Sequence, residues 1–257
     1  MRQEATPQTG QAGKGQKVLE RYASLLLEVD KKCDEVFKNT EIPCKNKCFE
    51  CCKQLFPLSF VEAYYISEGI KSLDRGTRRK LALAAQKTNE KILKLNPQSL
   101  EKRGVDRKTA LNVHADFARS LHKIERDCPA LDTGVTLSLS KGACKIYPFR
   151  NHDCRSMGCS FDSSSNEIIG CFRFTNLKHL IPNLMPFNYL YSEKMKLDTE
   201  LIKEVTNGLF GENLIYLTTI CAPFLKDFGT TDWTKFFSSK NVPERAEKDK
   251  YWVVVDV

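Results

Sequence analysis

The sequence has no apolar run near the roughly 18 residues that cross a bilayer, so a helical membrane span is not expected. Met1 to Gln16 is polar and lacks the apolar core of a secretory leader, which predicts a cytoplasmic chain. No internal repeat is present, which argues against solenoids and propellers. The common catalytic motifs are missing too. There is no Gly-x-Ser-x-Gly elbow, and the four histidines form no His-Glu-x2-His pair. Gly10-Gln-Ala-Gly-Lys-Gly15 lacks the Gly-Lys-Ser/Thr ending of a phosphate loop and follows no strand. What the chain does have is cysteine, eleven in 257 residues. In a cytoplasmic protein that number points to metal or redox chemistry rather than structural disulfides.

Hydrophobic spacing predicts a mainly α protein. It reads as one helical domain with an irregular cysteine-rich metal-binding segment and a short β-hairpin. Residues 1–15 read as a disordered tail, because little apolar area offsets the entropy of ordering them. Residues 16–240 read as a single helical domain and 241–257 as a polar C-terminal tail. A first helix begins near Gln16, with Val18, Tyr22, Leu25, Leu26, Val29, Cys33 and Val36 on one stripe. Ser59 and Glu62 form a capping-box signature. Asp74 caps a basic helix ending near Asn96-Pro97, and another helix covers Asp106 to Asp127. Thr136–Ser140 and Ala143–Tyr147 around Lys141-Gly142 suggest the hairpin, and Glu167–Phe174 a further short strand. Helix resumes after Pro186 as far as Asn207-Gly208, and again from Glu212 to Phe228.

The cysteines fall into two groups, at 44–52 and 128–171. Cys44, Cys48, Cys51 and Cys52 place four thiols in nine residues. On a helix they would span one arc of about 100°. A thiolate is the soft ligand of zinc and of iron–sulfur clusters. Adjacent Cys51 and Cys52 suit a single tetrahedral ion poorly, since neighbouring side chains diverge. Cys128, Cys144, Cys154 and Cys159 form the second group, and eight thiols match two four-coordinate sites or one polynuclear site. Arg150 and Arg155 lie beside the second group, where they could offset thiolate charge or donate hydrogen bonds to sulfur. Cys171 and His152 remain open as additional ligands. Cys33 and Cys221 sit among apolar residues and read as core.

The pattern Cys44-x3-Cys48-x2-Cys51-Cys52, then Cys128-Pro129-x-Leu131, then Cys144-x-Ile146-Tyr147-x2-Arg150-x3-Cys154-Arg155 resembles the YkgJ-family cysteine-cluster domain. The likeness spans about Cys44 to Cys159 around a long helical insert. It implies a zinc- or iron-chelating domain, with Cys44, Cys48, Cys51, Cys52, Cys128, Cys144 and Cys154 as ligands. Where the family usually has proline after the arginine, this chain has Asn151. The Cys-x3-Cys-x2-Cys spacing is shared with radical-SAM enzymes, but the strand–helix alternation of a β/α barrel is absent and Cys52 has no place there.

The net charge is +8, and it is local. Between Lys71 and Lys108 stand twelve Lys and Arg against four acids, an excess equal to that of the whole chain. Such a basic helical insert, 71–108, suits an acidic protein or nucleic acid. The functional expectation is therefore a protein holding zinc or an iron–sulfur cluster through two groups of thiolates, with a redox or modifying activity. The alternative is a metal-stabilised, non-catalytic module whose basic helices dock an acidic partner. Whether the chain is an enzyme is left open by the sequence.

Overall fold

The computed structural model describes residues 15–41, 50–124, 128–131, 144–162, 166–170, 177–244 and 247–257. Helix dominates, with a small sheet at its centre. Helix α1 (Gln16–Asn39) starts after Gly15, whose φ of 85° favours glycine. Its buried stripe runs Val18, Leu19, Tyr22, Leu26, Val29, Cys33, Val36, as the periodicity predicts. Helix α2 (Phe60–Ile70) is buried on almost every side and forms the axis of the molecule. Around it lie α3 (Arg75–Leu93), α4 (Arg107–His122), the short α5 (His152–Ser156), α6 (Phe187–Val205), the single-turn α7 (Ala222–Leu225) and α8 (Trp233–Ser239). Asp74 and Asp106 cap α3 and α4 by accepting from Thr77 N and Thr109 N, each at 2.9 Å.

The strands are β1 (Pro57–Leu58), β2 (Lys102–Val105), β3 (Ser160–Asp162), β4 (Glu167–Ile169), β5 (Met185–Pro186), β6 (Leu214–Thr219) and β7 (Tyr251–Asp256). The main sheet has the order β1-β6-β7-β2, with β6 and β7 parallel and both outer pairs antiparallel. A second sheet, β4-β3-β5, is smaller. The parallel pair needs a crossover, which α7 and α8 supply.

Two expectations are corrected here. Residues 212–228 are not one helix, because Leu214–Thr219 is a strand buried at every position. A short apolar run reads the same as buried helix or buried strand. The 241–257 segment is not simply a polar tail, because Tyr251–Asp256 lies between β6 and β2 inside the sheet. The predicted hairpin at 136–147 falls mostly outside the described residues, as do Cys171 and residues 1–14. Of the predicted second strand, Cys144 pairs instead with Leu131, outside the predicted hairpin, and Tyr147 opens a 3₁₀ turn.

Helix α2 meets the sheet through aromatic rings. Phe60 sits edge-on to Tyr216 at 5.2 Å and to Trp233 at 4.7 Å. Trp233 Nε1 donates to Phe228 O at 2.8 Å, so the buried indole keeps a partner. Among the described residues no helix is long and apolar enough to cross a membrane.

Candidate metal centre

Four of the eight predicted ligands line one cavity of about 100 Å³: Cys52, Cys128, Cys144 and Cys154. They come from four separate stretches of chain, and backbone contacts bring those stretches together. Cys52 is in a 3₁₀ turn, Glu50–Lys53, immediately before β1. Cys128 N donates to Cys52 O at 2.7 Å, which joins the two cysteine groups directly. The Leu131–Cys144 bridge and a bond from Lys145 N to Ala130 O at 2.9 Å hold Cys144 beside Cys128. The chain then turns through Tyr147–Phe149 into α5, where the Asn151 side chain accepts from Cys154 N at 3.2 Å. The remaining wall is largely apolar, with Phe56, Leu58, Ile146 and Ile220.

The turn that delivers Cys154 is pinned on both sides. Phe149 is buried against Tyr65, ring to ring at 6.2 Å, and lies over Gly69 of α2. A Cβ at Gly69 would stand 2.4 Å from the Phe149 ring, so this position has no room for a side chain. Arg155 donates to Pro148 O at 2.6 Å and to Arg150 O at 2.9 Å, and pairs with Asp30 of α1. Those bonds occupy Nε, Nη1 and Nη2. Arg155 therefore positions the cysteine-bearing turn, and it is not among the residues that line the cavity. Arg150 does line the cavity. Its Nε donates to Tyr147 O at 3.2 Å, and its guanidinium lies 3.7 Å from the Tyr147 ring centroid.

Cys159 lies elsewhere. It is fully buried in a separate cluster with Val29, Cys33, Leu180, Leu184 and Met185. Cys33 donates to Arg155 O at 3.4 Å, and Cys221 belongs to the main core. Neither of these two lines the cavity, in keeping with a packing role. Cys44 and Cys48, and the side chain of Cys51, lie outside the described residues. Among the described residues no three His, Cys, Asp or Glu side chains stand close enough together to hold a metal ion.

Beside the cavity is a buried ionic cluster that the sequence reading missed. Glu62, Lys194 and Asp198 are all at most 2% exposed. Glu62 Oε2 accepts from Ser59 N at 2.9 Å and from Lys194 Nζ at 3.2 Å. Asp198 Oδ1 accepts from Val61 N at 2.6 Å, at the N-terminus of α2. Burial pushes the Asp198 carboxyl up to about 7, despite the opposing pull of the Val61 amide and Lys194. Next to this cluster, His152 Nδ1 lies 3.2 Å from Asp153 Oδ1, and His152 is completely buried. Burial raises the Asp153 carboxyl as well, but Lys194, His152 and His114 outweigh it and hold the group at about 2. A signal for the cluster was present. Lys194 and Asp198 fall on the same helical stripe as Leu197 and Leu201, where a charged residue is unusual.

No protein family, curated protein or solved structure matches this chain.

Proposed function

We propose that this protein binds a thiophilic metal, zinc or an iron–sulfur cluster, in the cavity walled by Cys52, Cys128, Cys144 and Cys154. The observation that carries the reading is the meeting of four cysteines from distant segments on one small cavity. The resemblance of the cysteine spacing to the YkgJ-family domain points the same way. The surroundings also suit thiolates. Asn151 Nδ2 is a buried donor with no partner and belongs to a residue lining the cavity, and Arg150 adds a positive charge beside it. Both fit the need of an anionic sulfur site for nearby donors.

In this reading the ligand set is completed by Cys44, Cys48 and Cys51, and metal binding draws the cavity wall inward. Binding and ordering of the site are then one process. An iron–sulfur cluster would supply one-electron chemistry there, whereas zinc would supply a structural clamp. The chain's own residues have separable tasks. The cysteines bind, Asn151 and Arg150 donate, Phe149 and Arg155 hold the turn, and the apolar wall excludes water.

Anaerobic purification followed by elemental analysis and visible spectroscopy tests this. Iron with inorganic sulfide and a brown colour supports a redox centre, and stoichiometric zinc in a colourless protein supports the clamp. Cys128→Ser and Cys144→Ser should each lower metal content. Protein that contains neither metal, and takes up neither under reducing conditions, refutes the proposal.

A further inference from the structure

The solvent face of α3 is a different feature. The helix buries Leu81, Ala85, Thr88 and Ile92. The opposite face presents Arg79, Lys80, Leu83, Lys87, Lys91 and, just past its end, Lys94, all exposed. At 1.5 Å per residue this stripe is about 22 Å long. Among the described residues, Lys71 alone of the twelve basic residues from Lys71 to Lys108 forms an ion pair, with Glu68 and Asp227. The acids of the segment are mostly engaged elsewhere. Asp74 and Asp106 are bonded to Thr77 and Thr109 as helix caps, and Glu101 accepts from Lys240 at 2.8 Å. Only Glu90 stands on the outer face of α3. An ordinary solvated helix intersperses both signs evenly, whereas this face sets five cations against one acid.

Apolar side chains sit among the cations. Leu83, in the middle of the stripe, is 52% exposed, and Leu93, near its end, is 46% exposed. We propose that this face docks an acidic segment of a partner protein that carries apolar side chains between its carboxylates. Such a segment matches both features, because carboxylates meet the row of cations and apolar groups cover the leucines. A nucleic-acid backbone would leave Leu83 uncovered, and α3 contains no aromatic residue on which a base could stack. A lipid surface is a poorer match, since the main apolar stripe of α3 is already packed into the core and few leucines remain to insert.

The test uses the full chain and a fluorescent synthetic peptide with glutamates and leucines at helical spacing. Comparison ligands are the same peptide with every leucine changed to serine, a duplex DNA and phosphatidylserine vesicles. The leucine peptide should bind roughly tenfold or more tightly than the serine peptide, and binding should weaken with salt. The triple variant Arg79→Glu/Lys87→Glu/Lys91→Glu should abolish binding, and Leu83→Ser should erase most of the preference for leucine. Metal content should not change, which separates this surface from the cysteine cavity. If the reversed chain fails to fold, the triple change to Gln at the same positions takes its place. DNA or vesicles binding as tightly as the leucine peptide would overturn the proposal. So would an affinity indifferent to the triple change, or no binding of the peptide at all.

Discussion

Replacing Asp198 by asparagine should stabilise the protein at alkaline pH and do little below about pH 4. Three carboxyls, Glu62, Asp153 and Asp198, face one buried ammonium, Lys194. With Glu62 already bonded to Lys194, the ionised form of Asp198 has no counter-charge of its own. Its raised proton affinity, about 7 against an ordinary value of 3.8, expresses that cost. The sign follows directly. The folded carboxyl holds its proton more tightly than the unfolded one, so its contribution to stability is complete below about pH 4 and lost as pH rises to about 7. Roughly three units at 1.36 kcal/mol each give an upper bound of about 4 kcal/mol. Asparagine keeps an oxygen to accept from Val61 N and carries no charge. Urea unfolding of both proteins at several pH values, with metal content matched, gives the difference curve. Taking the difference matters because burial lowers the His114 and His122 pKa values, which favours folding as pH rises and partly masks the effect in either protein alone. The variant should gain on the order of 2–4 kcal/mol at pH 8, about a third of that at pH 5, and almost nothing below about pH 4. A variant destabilised equally at every pH would refute the reasoning and show that the Asp198 charge is satisfied by Lys194.

Other changes probe how the cavity is held. Gly69→Ala would force Phe149 aside and should cost about 1–3 kcal/mol while lowering metal occupancy, as read by thermal unfolding and elemental analysis. Arg155→Ala strands Asp30 and two carbonyls, and should cost about 3 kcal/mol with loss of metal, although Arg155 does not line the cavity. Cys33→Ser and Cys159→Ser should cost about 1–3 kcal/mol by burying a hydroxyl, with metal retained. Metal loss from Cys159→Ser would return that residue to the ligand set.

Local chemistry made several elements legible. The α1 stripe, the Asp74 cap and the Ser59–Glu62 pair were readable because each depends on residues within one or two turns. The strands β6 and β7 were not readable. Leu214–Thr219 and Tyr251–Asp256 are mostly apolar, and they pair with each other across more than thirty residues and with β1 and β2 on their outer sides. The buried ion cluster was obscured for a similar reason. Lys194 and Asp198 look like surface residues until α2 is packed against them.

The cysteine spacing by itself determined the kind of chemistry to look for, since four thiols within nine residues have few uses. The basic insert was equally plain as a charge excess. Only the tertiary structure decided which members of each set act together. The bond from Cys128 N to Cys52 O joins groups 76 residues apart, while Cys159, five residues from Cys154, is drawn into a separate apolar cluster with Cys33. Caps and salt links engaged most acids of the insert and left its cations facing water. Sequence distance is a poor guide to either outcome, because a turn can send neighbouring side chains to opposite sides of a helix, whereas a backbone hydrogen bond needs only that two segments meet.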